Sequence, residues 1–241
     1  MLLSAGALFW AGALLWAPAA AGQQIVSARY AEPTTRYPHG ALGDTVEHGA
    51  LTVRLSDRTR QTARLDPDRV FEDTAPRLVD LDGDGAPEVI VVEAHQRRGA
   101  RLAVWGLSEG RLALRAATPW IGQRFRWLAP VGAADLDGDG AVEIAYVDRP
   151  HLARVLRVWR YRPEGPALAP VAAAEGHSNH RIGEPAISGG LRDCGDGPEM
   201  ITASADWARV LATRLEDGRL RTRDLGARTG PASLAGALAC R

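Results

Sequence analysis

The sequence predicts an all-β fold, a β-propeller-like array of about four antiparallel blades, and three observations carry that prediction. An acidic loop occurs twice, as Asp80-Leu-Asp82-Gly-Asp84-Gly-Ala86-Pro-Glu88 and, about 55 residues later, as Asp135-Leu-Asp137-Gly-Asp139-Gly-Ala141-Val-Glu143. Each loop runs into a short apolar segment rich in β-branched and aromatic residues, 89–92 and 144–147, which favours strands over helices. The flanks recur in register as well. Phe71 and Phe125, then Ala75-Pro76 and Ala129-Pro130, precede the loops, while Val104-Trp105 and Val158-Trp159 follow them. A fixed period of this size signals stacked units, and three or four short strands per unit suit propeller blades, which protect their edges by repetition around an axis. A closed ring and an open partial one fit the length equally well.

The elements follow in chain order. Residues 1–22 are apolar and small and contain no charged side chain, which resembles a secretory signal peptide cleaved near Ala21 or Gly22. Because a Lys or Arg is missing near the start, an uncleaved N-terminal anchor is the alternative. The remaining chain, 23–241, is expected to form one domain. Its first unit, 37–70, has residues 39–44 in the loop position and strands at 51–55 and 59–65 around the turn Ser56-Asp57-Arg58, without a ligand set. The second unit, 71–122, holds the first acidic loop, the alternating strand Arg101-Leu-Ala-Val-Trp105, and a turn at Gly110 leading to Leu114. The third, 123–178, repeats this plan with the second acidic loop and a turn from Gly165 to Ala169.

The fourth unit, 179–226, is eroded. Asp193, Cys194, Asp196 and Glu199 survive, but Gly190 and Arg192 stand where the first two ligands would be, so a structural turn without metal is expected. Strands are expected at 209–215 and 220–225, followed by a tail, 227–241. Trp105, Trp159 and Trp207 are expected to pack between blades. Cys194 and Cys240 are the only cysteines; in an exported protein an even pair implies a disulfide, here pinning the tail to the last unit.

Each acidic loop places side-chain oxygens at positions 1, 3, 5 and 9 and glycine at position 6, where the backbone must turn sharply; the carbonyl of position 7 is a further ligand. The candidate ligands are Asp80, Asp82, Asp84, Ala86 and Glu88 in one loop, and Asp135, Asp137, Asp139, Ala141 and Glu143 in the other. Carboxylates this close repel one another unless a cation joins them, and Ca²⁺ accepts six to eight oxygens. An EF-hand is excluded, because position 12 is Val91 or Tyr146 rather than Glu. A merely polar turn is the alternative, though a turn does not require four carboxylates.

Composition narrows the function. With 29 basic and 29 acidic residues the formal charge is zero, so no overall field draws the chain to nucleic acid. After the leader no stretch is long or apolar enough to span a bilayer. No nucleophile elbow, zinc-binding His-Glu pattern or phosphate-cradling loop occurs. The richest other polar cluster is His177-Ser-Asn-His180-Arg-Ile-Gly-Glu184. Residues 146–151 and 204–207 fall just after strands and are candidates for one mouth of the propeller.

The two loops and their flanks resemble the FG-GAP and VCBS-type repeat family over residues 37–226, most specifically at 80–88 and 135–143. The resemblance implies a calcium-bearing β-propeller with two Ca²⁺ sites, built from the side chains named above. It further implies a non-catalytic binding module, periplasmic or secreted, whose partner is a protein or envelope component. An envelope lyase or hydrolase using His177 and His180 is the competing expectation, and a calcium sensor a third.

Overall fold

The computed structural model describes residues 22–163 and 168–241. The leader expected over 1–22 therefore lies outside the described residues except for Gly22, as does Gly165 of the expected turn. The fold is almost entirely β. The first sheet contains β1 (Ile25–Thr34), β2 (Glu47–Leu55), β3 (Arg60–Arg64), β4 (Arg69–Phe71), β5 (Arg77–Val79), β6 (Glu88–His95), β7 (Gly99–Ser108) and β8 (Arg111–Ala117). The second contains β9 (Leu128–Ala134), β10 (Glu143–Asp148), β11 (Val155–Tyr161) and β12 (Leu168–Glu175). The third contains β13 (His177–Ser178), β14 (Gly190–Asp193), β15 (Pro198–Ser204), β16 (Arg209–Glu216) and β17 (Arg219–Ala227), and a helix, α1 (Pro231–Leu238), follows it. The pairings between these strands are antiparallel, and the sheets form an open, propeller-like array in which β9 lies against β7, β14 and β15.

Two expectations about the units change. Residues 37–70 and 71–122 do not form separate sheets, because β4 pairs with β2 through His48 and Phe71 and with β6 through Glu93 to His95. The first unit also begins earlier than residue 37. Strand β1 runs antiparallel to β2 from Ile25 opposite Leu55 to Thr34 opposite Glu47. Its alternation is weak and it carries Pro33, which an edge strand tolerates and a central one does not.

The strand leading into each corner loop is handled differently in each unit. In the second sheet β9 runs without a break from Leu128 to Ala134. Its counterpart in the first sheet is split into β4 and β5 by residues 72–76, and in the third into β13 and β14 by residues 179–189. Pairing therefore makes Leu128, opposite Asp148, the counterpart of Phe71, opposite Glu93, and Phe125 lies outside the sheet. The extra residues in the first split are what displace the sequence alignment at that point.

The middle strands are buried on both faces, which explains their unbroken apolar runs. Along β6, Val89 and Val91 face a cluster with Leu51, Phe71 and Trp105, whereas Ile90 and Val92 face one with Trp127, Ile144 and Tyr146. Along β10, Ala145 and Val147 turn the other way, toward Met200 and Leu215. Period-two side-chain direction thus joins each sheet to its neighbours. Trp105 belongs to this core. Trp159 is partly buried against it, and Trp207 lies at a margin between the guanidinium groups of Arg181 and Arg228.

The last sheet is covered by α1. Pro231 stands in its first turn, where the missing N–H costs nothing, and Leu234 and Ala237 pack on Ile201, Ala203, Val210 and Ala212. Burying Leu234 contributes about 2 kcal/mol. Cys194 and Cys240 form a disulfide that fastens the segment after α1 beside β14. At the centre of the array, Gly183 donates its N–H to the Ala41 carbonyl at 3.0 Å, joining the first and fourth units. A Cβ at Gly43 would lie 2.7 Å from the Gly183 carbonyl oxygen, so only glycine permits that approach.

Reduction of the disulfide, or Cys240→Ser, is expected to destabilise the protein by about 4 kcal/mol on chain-entropy grounds. Hydrogen exchange should then speed up first in α1 and along β15 and β16. Unchanged protection there would show that the helix is held by packing alone.

Candidate metal centres and the axial cleft

The first acidic loop connects β5 to β6, and the chain wraps around Asp80. Its Oδ1 accepts the Gly83 N–H at 2.9 Å and its Oδ2 the Gly85 N–H at 3.0 Å. Gly85 has φ +84°, the left-handed turn expected at position 6. Asp84 Oδ1 accepts the Ala86 N–H at 2.7 Å, and Glu88 reaches back so that its Oε2 accepts the Leu81 N–H at 3.0 Å. The second loop, between β9 and β10, repeats the geometry. Asp135 accepts from Gly138 and Gly140 at 2.8 and 2.9 Å, Asp139 accepts from Ala141 at 3.0 Å, and Glu143 accepts from Leu136 at 2.9 Å. A Glu at position 9 can therefore latch the start of its loop with one oxygen and present the other inward.

Oxygens of Asp80, Asp82 and Glu88 lie within 4.8 Å of one another, and so do those of Asp135, Asp137 and Glu143. Asp84 and Asp139 stand outside these trios. At the first trio the nearest guanidinium is Arg115, which lines the same hollow but donates its Nη1 to the Leu107 carbonyl at 2.9 Å. Among the described residues no ion pair reaches the trio. Burial, then the charges of Asp82 and Asp84, push the Glu88 carboxyl up to about 7, and burial with Asp84 raises Asp82. Three oxygen donors that repel one another and meet no protein cation fit a hard divalent ion.

At the second trio the cation belongs to the protein. The Arg160 guanidinium donates Nη1 to Asp139 at 2.7 Å, Nη2 to Asp137 at 2.9 Å, and Nε to Glu143. One guanidinium offsets one of the four carboxylate charges of this loop, so its donor set is less negative than the first and already meets a cation.

The fourth unit takes this further. Glu199, 1% exposed, accepts from Arg192, Arg214 and Arg223. Burial raises its pKa, but the three guanidinium hydrogen bonds outweigh that and bring it down to about 2. Pairing also revises the loop register. Arg192 lies opposite Glu199 as Val79 lies opposite Glu88, which puts Asp193, not Gly190 or Arg192, in the first ligand position. Asp193 still accepts from Gly195 and Gly197, at 2.8 and 3.1 Å, in a shortened loop.

A cleft of about 260 Å³ opens where the units converge, lined by His39, Phe125, Arg126, Trp127, Arg149 and His151, with Leu152 and Ile182 on its lip. Behind it His39 Nδ1 is bonded to the fully buried Glu72, and Trp127 donates to the Glu72 carbonyl at 2.8 Å. Burial raises Glu72 well above the usual carboxylate range and lowers His39 to about 4. His180 joins this region: its Nδ1 meets His151 Nε2 at 2.9 Å, and its Nε2 donates to the Glu184 carbonyl at 2.7 Å. His177 does not, because its Nδ1 is bonded to Thr202 within the third sheet. The cluster expected from His177 and His180 is therefore divided between two places. Trp127, Glu72 and Glu47, the last pushed up to about 9 by burial and by Glu72, went unrecognised in the sequence. Of the segments expected at one mouth, 146–151 reaches the cleft through Arg149 and His151, whereas 204–207 does not line it.

Residues 80–146, which contain both acidic loops, match the model of the FG-GAP-like repeat. The search of curated proteins found no match to the chain.

Glu199→Gln should cost about 3 kcal/mol, since it leaves Arg192 buried without its counter-charge while Arg214 and Arg223 still reach solvent. A folded-state pKa of about 2 against 4.5 means that this contribution is complete above pH 4.5 and is lost as pH falls toward 2. Acid unfolding of the wild type should therefore be steeper over that window than that of the variant. Parallel acid titrations would refute this arrangement.

Proposed function

Because residues 80–146 make this chain an FG-GAP-type repeat protein, we propose that it is an exported, non-catalytic binding module whose acidic corner at 80–88 is stabilised by Ca²⁺. The observation that carries the proposal is the trio Asp80, Asp82 and Glu88, three carboxylates gathered with no ion pair to them among the described residues, Arg115 lining the same hollow but bonding the Leu107 carbonyl. When bound, calcium supplies positive charge and oxygen coordination at that corner. The protein's own part is to present the oxygens: backbone N–H groups fix Asp80, and the Leu81 N–H aims Glu88. A staple suits this position better than a sensor, because the strands on either side are packed from both faces and offer no second arrangement for ion binding to select.

Export is supported by the uncharged leader and by the disulfide, which persists only in an oxidising compartment. For partner contact we assign the axial cleft. Leu152 and Ile182 at its lip are 59% and 71% exposed, large apolar side chains in a cleft also lined by Arg126 and by Arg149, which is ion-paired with Asp148. Such a surface suits an acidic segment of a protein or envelope component that also carries an apolar anchor. The enzymatic alternative loses its basis in the His177 and His180 pair, since the two rings serve different contacts.

With calcium at 100 times its Kd, stabilisation of about 2.7 kcal/mol is expected, a rise in Tm of about 5–10 °C for a domain of this size. Chelation should reverse it, and Asp82→Ala should abolish the response. A protein shown to contain no ion, with the same melting curve in EDTA and in calcium, would end the proposal.

A further inference from the structure

The structure assigns the two acidic loops to different cations: loop 80–88 takes a divalent ion, whereas loop 135–143 is closed by the side chain of Arg160 and is not a second calcium site. The assignment rests on the calcium reading of loop 80–88 given above. The deciding position is the residue across the sheet from the closing glutamate. Arg160 is paired with Glu143 on β11. The pairing of Val89 with Trp105 places Gly106 opposite Glu88. The pairing of Met200 with Thr213 places Arg214 opposite Glu199. One structural position therefore reads Gly, Arg, Arg through the three units.

The consequences follow from the geometry. At Gly106 a Cβ would lie 3.2 Å from Arg115 Cγ and 3.3 Å from Glu88 Cγ, so a side chain there would have to push one of them aside, and glycine supplies no cation across from Glu88. At Arg160 the guanidinium spans the second loop and gives one donor nitrogen to each of three carboxylates, Asp137, Asp139 and Glu143. The backbone N–H bonds to Asp135 and Glu143 are the same as those to Asp80 and Glu88, so Arg160 is what sets the two loops apart. A guanidinium is charged at every accessible pH and matches carboxylates in plane, so it does not yield by deprotonation. A dication could enter only by displacing it and would then face a fixed positive charge at close range. The fourth unit shows the same substitution carried further, with Arg192, Arg214 and Arg223 around Glu199. Arginine thus appears at the second loop with its acidic residues intact, and at the third with that set eroded.

Calcium stoichiometry of the purified full chain decides the matter, measured by isothermal titration after removal of metal and confirmed by elemental analysis after dialysis in millimolar Ca²⁺. We expect one ion per chain in the wild type, none in Asp82→Ala, and one in Asp137→Ala with its calcium-induced rise in Tm unchanged. Arg160→Gln should bind two ions, the second lost again in the double variant with Asp137→Ala. Should Arg160→Gln fail to fold, the contrast between Asp82→Ala and Asp137→Ala in the native background still decides. Two ions in the wild type, or loss of an ion in Asp137→Ala, overturns this assignment and leaves the calcium-stabilised module standing. No ion in the wild type overturns both.

Discussion

Every acidic corner of this molecule turns on one constraint: a buried glutamate at the start of a middle strand has to be neutralised. Glu88, Glu143 and Glu199 are 7%, 0% and 1% exposed, each at the head of a strand packed from both sides. A lone carboxylate there would lose its water without return. Part of the answer is common to the two intact corners, where one oxygen accepts a backbone N–H from the start of the loop. The other part varies with the residue across the sheet. The loops differ in charge balance, although their sequences are nearly the same and their turns superimpose in hydrogen-bond pattern.

Much of the β architecture was legible because packing on two faces leaves a plain trace. The runs at 89–92 and 144–147 have no polar residue, and the acidic loops just before them fix where each strand begins. The pairing of Cys194 with Cys240 was legible from count alone. What escaped had no local trace. Strand β1 is an edge strand with mixed exposure, and α1 is a short helix whose apolar face has meaning only against the last sheet. The splitting of the strands before the corner loops could not be seen either, because Glu72 and Asp73 look like ordinary polar loop residues until the fold buries them, and the cluster at Asn179 and His180 drew notice as chemistry rather than as a strand break.

The candidate sites divide in the same way. Ligand spacing showed in the sequence, but charge balance did not, because Arg160 lies on the following strand and Arg192, Arg214 and Arg223 on three different ones. The cleft was legible only through residues 146–151, for a related reason. Its walls come from His39, the segment 125–127 and the segment 149–152, which are adjacent only after the units have assembled. His151 seemed isolated and is bonded to His180, while His177, three residues earlier, serves the third sheet.

The contact between Gly43 and Gly183 gives the array an unusual kind of closure. A propeller sealed at its rim shares a strand between first and last blades and resists splaying through a ladder of bonds. Here the ends of the array are clasped at the hub, by one bond from Gly183 to Ala41 at a place too tight for a methyl group. The clasp joins segments far apart in the chain, so it belongs to the last steps of folding rather than the first. A side chain at Gly43 would collide with the Gly183 backbone and push the first and fourth units apart at this point.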